Sequence, residues 1–144
     1  AIAESCTGGL TSYKITSIAG ASQMLFGSVT TYSNDAKTLW LGVEEDTIND
    51  HGAVSEETVS AMLEGVIKVS GADFAVAISG IAGPDGGSAD KPVGTVYAGV
   101  RHKDGDFKIF KKHFYGDRTL IQSASADFAL KNLCEFFKYF QKTS

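Results

Sequence analysis

Hydrophobic and polar positions along the chain follow a pattern typical of an α/β protein. Apolar, β-rich stretches predict five strands, over residues 1–4, 25–32, 73–78, 92–100 and 107–114. Amphipathic stretches predict helices over residues 10–19, 34–41 and 56–70, and a last helix that begins near Asp117. The third helix has the clearest apolar face, formed by Val59, Met62, Leu63, Val66 and Ile67. The acidic segment 44–50 lacks such a face and is predicted to be a surface loop.

The order of these elements predicts how they are layered. Residues 73–78 show no polar alternation after Asp73, as expected of a central strand that is covered on both faces. The dipeptide Asp104-Gly105 predicts a tight hairpin between the last two strands, and the lysines of 107–114 place that strand at a sheet edge. We therefore predict a single domain over residues 1–144. Its fold class is α/β, a three-layer α/β/α sandwich around a mixed, mostly parallel sheet of about five strands, with one antiparallel strand from the C-terminal hairpin.

Composition narrows the classes of function. The net charge of -4 and the pI near 5.3 leave no basic footprint for nucleic acid, and no apolar run approaches the roughly 20 residues that span a bilayer. Cys6 and Cys134 lack metal-ligand spacing, so we expect free thiols, a cytoplasmic location and no metal site. The chain begins without Met inside a predicted strand, which favours a fragment whose upstream residues complete that strand or form another domain.

Candidate chemistry lies where predicted strands end. Residues 4–9 (ESCTGG) place a hydroxyl and a thiol beside unpaired N–H groups at a helix start, although such turns often only cap helices. Residues 79–88 are the most glycine-dense segment; they follow the central strand and are read as a ligand loop rather than a floppy connection. With residues 32–34, these strand ends are expected to converge on one site.

A serine nucleophile needs a base, and no histidine lies at a predicted strand end. His51 falls in a loop and His102 and His113 on the hairpin, where solvent-facing or structural roles are expected. A lysine early in a helix is most often a solvated residue. A buried lysine with a lowered pKa can instead act as a base, so Ser5 paired with Lys37 is the sharper hypothesis. Cys6 remains a rival nucleophile, and the residues alone do not choose between them.

Seven linked motifs extend this reading over nearly the whole chain. They are ESCTGGL at 4–10, TYSNDAK at 31–37, LGV, HGAVSEE, SGIAGPDGG, KPVGTVY and GDR. In this order they closely resemble the CinA carboxyl-terminal domain, the nicotinamide mononucleotide deamidase family. The resemblance implies hydrolysis of nicotinamide mononucleotide to nicotinate mononucleotide and ammonia in pyridine nucleotide salvage, with no cofactor and no metal.

The resemblance also implies roles for residues. Ser5 is the implied nucleophile and Lys37 its base. The implied substrate-binding residues are Glu4, Thr7, Gly8 and Gly9 of the first motif, Tyr32 and Asn34 at the base pocket, Ser79, Gly80, Ile81, Ala82 and Gly83 around the nucleotide, and Arg118 at the phosphate. Family members often carry a second arginine four residues after this one, where the chain has Gln122; if that arginine assists phosphate binding, a lower affinity or activity is expected here. The full-length family form also has an amino-terminal domain.

Two alternatives stay open at this point. One is a catalytically silent nucleotide-sensing or protein-docking domain, in line with the family's link to competence and DNA damage. The other is an amidase or esterase with a different substrate. The aromatic residues around the last helical turns are equally typical of a subunit interface and of a core terminus, so a homo-oligomer is also left open. No nucleic-acid or membrane partner is expected.

Overall fold

The computed structural model describes residues 1–143. Its strands are β1 (Ile2–Glu4), β2 (Ser28–Thr30), β3 (Phe74–Gly80), β4 (Thr95–His102) and β5 (Phe107–His113). Its α-helices are α1 (Leu10–Thr16), α2 (Asn34–Leu41), α3 (Glu45–His51), α4 (Glu56–Ser70) and α5 (Arg118–Thr143), and one 3-10 turn spans Ala21–Gln23. Within this part of the chain no helix is both long and apolar enough to cross a bilayer.

The five strands form one sheet in the order β2-β1-β3-β4-β5. β1 runs parallel to β2 and to β3, whereas β4 is antiparallel to both of its neighbours. The predicted fold class is thus confirmed: β4 is the single antiparallel strand, and the hairpin brings it in. β3 occupies the middle of the sheet as its apolar run predicts, and the lysine-bearing β5 lies at one edge.

Helices cover the sheet on both faces, and β3 shows how the two faces differ. Val76 and Ile78 point into the core beneath α5, while Ala75 and Ala77 point into the core beneath α4. All four are at most 1% exposed. The small alanine side chains of β3 thus face the α4 layer, and its larger β-branched side chains face α5.

Several predicted boundaries are wrong. Segment 44–50, predicted to be a loop, is helix α3, Glu45–His51. Its acidic residues Glu45 and Asp46 lie in the first turn, where they stabilise the helix dipole, and Ile48 is buried against the α4 layer. The second strand shrinks from 25–32 to Ser28–Thr30, and the first helix ends at Thr16. In α5, Phe136 belongs to the core at 4% exposure.

Helices α2 and α4 meet at a glycine. A Cβ atom at Gly65 of α4 would lie 2.0 Å from the carbonyl oxygen of Leu41, the last residue of α2. No real side chain tolerates such a distance, so the close approach of the two helices requires glycine here. Lys37 lies one turn earlier on the same helix, and this crossing therefore sets how deeply α2 places Lys37 over the sheet.

We expect Gly65→Ala to destabilise the domain, because the added methyl group meets backbone that cannot rotate away. Overpacking of this kind costs about 1–3 kcal/mol, more than the gain in helix propensity from replacing glycine. Urea unfolding monitored by circular dichroism measures the change. Lys68→Ala, on the exposed face of the same helix, is the control and is expected to change stability by less than about 0.5 kcal/mol. A Gly65→Ala variant as stable as this control would contradict the packing argument.

Candidate active site

Ser5 sits at the carboxyl end of β1, in a tight turn that we call the nucleophile turn (residues 5–9). Its N–H group donates to the Ile78 carbonyl across the sheet at 3.0 Å, and its own carbonyl accepts from the Gly8 N–H at 3.0 Å. Gly8 and Gly9 have φ angles of 59° and 105°, a region that side chains disfavour, which explains the glycine pair. The side chain of Ser5 is 7% exposed.

Glu4 supports this turn from below. Its buried carboxylate accepts hydrogen bonds from the Thr7 hydroxyl at 2.5 Å and from the N–H groups of Thr11 and Ser12, both at 2.9 Å. Burial alone raises the pKa of Glu4, but the hydrogen bonds from Thr7, Ser12 and Thr11 outweigh it, and the pKa falls below its ordinary value. An ionised Glu4 therefore satisfies the first turn of α1 and fixes Thr7.

Lys37 reaches Ser5 from α2. Ser33 caps this helix by accepting a hydrogen bond from the Ala36 N–H at 3.0 Å. The Lys37 Nζ donates to Ser5 Oγ at 3.0 Å and to the Thr31 carbonyl at 2.8 Å, with the Tyr32 carbonyl at 3.4 Å. These contacts join the ends of β1 and β2 through one amine.

Burial decides the protonation of that amine. Lys37 is 1% exposed and makes no salt bridge within residues 1–143. Burial lowers its pKa to about 8, since no carboxylate compensates for the lost hydration of the ammonium. Near neutral pH a useful fraction of Lys37 is thus uncharged and able to take a proton from the Ser5 hydroxyl.

The neighbouring thiol has the opposite character. Cys6 is 5% exposed, and burial raises its pKa to about 12, with the Glu4 charge acting in the same direction. A thiol with this pKa is protonated at neutral pH, and the thiolate is the nucleophilic form. No side-chain hydrogen bond joins Cys6 to Lys37, whereas Ser5 has one.

A cavity of about 280 Å³ opens beside Ser5 and Lys37 at the carboxyl ends of β1, β2 and β3. The structure brings most of the predicted site residues into its lining: Ser5, Tyr32, Asn34, Lys37, Ser79, Gly80, Ile81, Ala82, Gly83 and Arg118. The side chains of Glu4 and Thr7 turn to each other instead. Glu4, Thr7, Gly8 and Gly9 are not part of the lining.

Two lining residues were missed by the sequence reasoning, Ala53 and Val54, whereas Asp85 and Gly86 belong to the predicted ligand loop 79–88 but were not named as site residues. Ala53 and Val54 precede α4, and the Ser79 hydroxyl ties this segment to the sheet by donating to the Ala53 carbonyl at 2.7 Å. The motif HGAVSEE was the available signal, because Ala53 and Val54 lie in it directly before the N-cap residue Ser55.

Arg118 closes one side of the cavity. Its guanidinium donates to the Gly83 carbonyl and to the Tyr32 hydroxyl, both at 2.7 Å, and so bridges the loop after β3 and the loop after β2. One turn along α5, the Gln122 amide donates to the Cys6 carbonyl at 2.9 Å and does not line the cavity.

A larger cavity, about 580 Å³, lies at the other end of the sheet between the start of β1, Phe74 and the end of α5. Its lining is mainly apolar and holds no paired nucleophile and base, so we place the candidate site in the smaller cavity. Within residues 1–143 no group of three or more His, Cys, Asp or Glu side chains is arranged to hold a metal ion.

Comparison with known proteins agrees with this fold. Residues 1–137 match the family described as the CinA C-terminal domain. A nicotinamide-nucleotide amidohydrolase PncC from Enterobacter agglomerans is 53% identical over 137 residues, which are 94% of this chain and 84% of that protein. A CinA-like protein from Thermotoga maritima is 49% identical over 138 residues, 96% of this chain but 33% of that protein. The chain thus spans about a third of the length of this longer relative.

A solved structure shows the same architecture. A competence-damaged protein (CinA) superfamily protein from Klebsiella pneumoniae superimposes with a TM-score of 0.91 at 36% identity, covering 96% of this chain and 86% of that one. The family match, the identity to its relatives and the shared fold lead to one conclusion: this chain belongs to the CinA C-terminal domain family.

Proposed function

We propose that this domain hydrolyses the carboxamide of nicotinamide mononucleotide to nicotinate mononucleotide and ammonia, as a step of pyridine nucleotide salvage. The observation that carries the proposal is the 3.0 Å contact between the buried Lys37 Nζ and Ser5 Oγ at the edge of a ligand-sized cavity. The relative from Enterobacter agglomerans, 53% identical, is named for amide hydrolysis of this class of substrate. At that identity over most of both chains, amide hydrolysis is the reaction class that the two share.

In the first half of the reaction, neutral Lys37 takes the proton of the Ser5 hydroxyl while Oγ attacks the carboxamide carbon. The ammonium of Lys37 then gives that proton to the departing nitrogen, the carbon–nitrogen bond breaks, and ammonia leaves. In the second half, Lys37 takes a proton from water, hydroxide attacks the ester carbon, the bond from that carbon to Ser5 Oγ breaks, and the Lys37 ammonium returns a proton to Oγ. Water is the only co-reactant.

The tetrahedral intermediates need donors for their oxyanion. The Gly8 N–H already donates to the Ser5 carbonyl. The N–H groups of Thr7 and Gly9 have no acceptor among the residues that the structure describes. We assign the oxyanion to these free backbone donors of the nucleophile turn. Neither residue lines the cavity, so the carboxamide oxygen meets these donors only where it passes Ser5 at the cavity wall and enters the turn.

Substrate binding uses the remaining lining. Tyr32 and Asn34 flank Lys37 and shape the pocket for the pyridine ring, while Ser79, Gly80, Ile81, Ala82 and Gly83 run beside the ribose. Arg118, a cation at the cavity wall, is the partner for the phosphate. At about 280 Å³ the cavity is near the lower end of small-molecule sites, which span roughly 300–1,000 Å³.

A silent nucleotide-sensing or docking domain is not favoured by any observation. A domain without chemistry has no use for a buried, unpaired lysine held against a serine hydroxyl, because burying that amine costs stability. Incubating the pure protein with nicotinamide mononucleotide and assaying ammonia tests the proposal. Absence of turnover would end it, and tight nucleotide binding without turnover would support the sensing domain.

We expect Ser5→Ala to lower kcat by roughly a thousandfold or more, as for other activated serines, and Cys6→Ala to keep most of the activity. The physical reason is that Lys37 contacts the hydroxyl, whereas the pKa of the thiol is raised to about 12. Ammonia release by both variants, with thermal unfolding to confirm that each is folded, measures the difference. A Cys6→Ala variant that is as inactive as Ser5→Ala would move the nucleophile to Cys6.

We expect kcat/KM to rise with pH through about 8, where Lys37 loses its proton, and to level off above it. Below this pKa the protonated amine cannot accept the Ser5 proton, so the rate falls about tenfold per pH unit. A series from pH 6 to 10 measures the profile, and Lys37→Met is expected to be folded and inactive throughout. Lys131→Met, at an exposed lysine of α5, is the control and keeps the wild-type profile. A flat wild-type profile would remove Lys37 from proton transfer.

We expect Arg118→Met to raise KM for nicotinamide mononucleotide by on the order of tenfold more than KM for the phosphate-free riboside, because the riboside is affected only by the lost bridge to Gly83 and Tyr32. The difference isolates the interaction of the guanidinium with phosphate. Arg118→Lys keeps the charge but loses the paired hydrogen bonds to Gly83 and Tyr32. Its KM for nicotinamide mononucleotide is expected to lie between those of the wild type and Arg118→Met. Equal losses on both substrates would assign Arg118 to the shape of the cavity instead.

A further inference from the structure

A single side chain joins helix α5 to the nucleophile turn. Gln122 donates its Nε2–H to the Cys6 carbonyl oxygen at 2.9 Å, across 116 positions of sequence. The glutamine is half-buried, and it does not line the cavity. Its amide therefore acts on the backbone of the turn rather than on a ligand in the cavity.

One peptide group of the nucleophile turn is held by Gln122 and not by the other hydrogen bonds of the turn. The Ser5 N–H and carbonyl are held by Ile78 and Gly8, and Glu4 holds the Thr7 hydroxyl. Between these fixed points lies the peptide that joins Cys6 to Thr7. Among the described residues its carbonyl has Gln122 as its hydrogen-bond donor, and its N–H has no acceptor.

The geometry of a peptide group links its two ends. The Cys6–Thr7 bond is trans, since the only cis peptide within residues 1–143 is Gly83-Pro84. In a trans peptide the carbonyl and the following N–H point in opposite directions. By drawing the Cys6 carbonyl towards α5, Gln122 turns the Thr7 N–H away from α5. That is the side of the sheet covered by α2 and α4, from which Lys37 reaches Ser5.

We propose that Gln122 is a positioning residue for the oxyanion donor: its hydrogen bond to the Cys6 carbonyl fixes the Thr7 N–H in the orientation that stabilises charge beside Ser5. This inference rests on the proposed function only in requiring that Ser5 is the group acylated. Gln122 acts through the backbone, contacts no substrate, and contributes to kcat rather than to substrate binding.

The test compares two variants that keep the size of the side chain and remove its donor. Gln122→Met has no polar group, and Gln122→Glu presents a carboxylate at pH 8. Gln141→Met removes a glutamine at the far end of the same helix and is the control. Each protein is assayed for kcat and KM on nicotinamide mononucleotide, for its midpoint of thermal unfolding, and for the rate at which a fluorophosphonate labels Ser5.

The labelling reaction probes the same donors without the natural substrate. The Ser5 oxygen forms a bond to phosphorus, the phosphorus–fluorine bond breaks, fluoride leaves, and the serine proton passes to Lys37. The phosphoryl oxygen then occupies the place of the oxyanion. Mass spectrometry of the peptide that contains Ser5 gives the rate.

Both Gln122 variants are expected to lose about 10- to 100-fold in kcat and in labelling rate. This loss is smaller than that from removing an oxyanion donor itself, because the Thr7 N–H is still present. KM is expected to stay within about threefold, because no substrate contact is removed. Gln141→Met is expected to match the wild type in all measurements. A purely structural role for Gln122 would lower the unfolding midpoint and leave kcat of the folded fraction unchanged.

The outcomes separate this inference from the proposed function. If the wild-type protein is labelled at Ser5 but does not deamidate nicotinamide mononucleotide, the proposed substrate is wrong. A lower rate of Ser5 labelling in Gln122→Met then still supports the positioning role. Wild-type turnover with unchanged kcat and labelling in both Gln122 variants overturns the positioning role and leaves the function standing. A wild type that neither labels nor turns over overturns both, since Ser5 is then not an activated nucleophile.

Discussion

The burial of one amine without a counter-charge is the constraint on which this site depends. Lys37 is 1% exposed, and its Nζ rests on two neutral oxygens, Ser5 Oγ and the Thr31 carbonyl. A carboxylate in contact would stabilise the ammonium and restore an ordinary lysine pKa. Neutral oxygens accept hydrogen bonds from the Lys37 amine but do not stabilise its positive charge, so the pKa of Lys37 stays low. The surrounding fold supplies the burial, through the close crossing of α2 and α4 at Gly65 and the strand ends beneath it.

Charge and catalysis are separated within the first motif. The carboxylate of Glu4 is turned to the start of α1, where three donors hold it. Had it faced the cavity, its negative charge would have raised the pKa of Lys37 and opposed a developing oxyanion. Backbone rigidity and the proposed nucleophile chemistry thus come from adjacent residues that face different sides of the same strand end.

Much of this arrangement could be predicted from the sequence, for physical reasons that differ between residues. The apolar run at 73–78 identified the central strand, and the carboxyl ends of parallel strands necessarily meet, so Ser5, Tyr32 and Ser79 could be grouped before any coordinates. Burial of Lys37 could only be hypothesised, because it depends on how close α2 lies to α4. The hydrogen bond of Gln122 to Cys6 spans 116 residues and leaves no local pattern. Helix α3 was missed because its acidic first turn resembles a solvated loop until Ile48 is seen to be buried.

The bridge made by Arg118 has a consequence for how the cavity handles an anion. A guanidinium carries five N–H donors, and here one bond goes to Gly83 and one to Tyr32. N–H donors of Arg118 therefore remain for a bound anion while the guanidinium still connects both loops. The rim of the cavity therefore keeps one shape with and without a bound ligand. The conformational entropy of these loops is lost when the domain folds and not when the ligand binds.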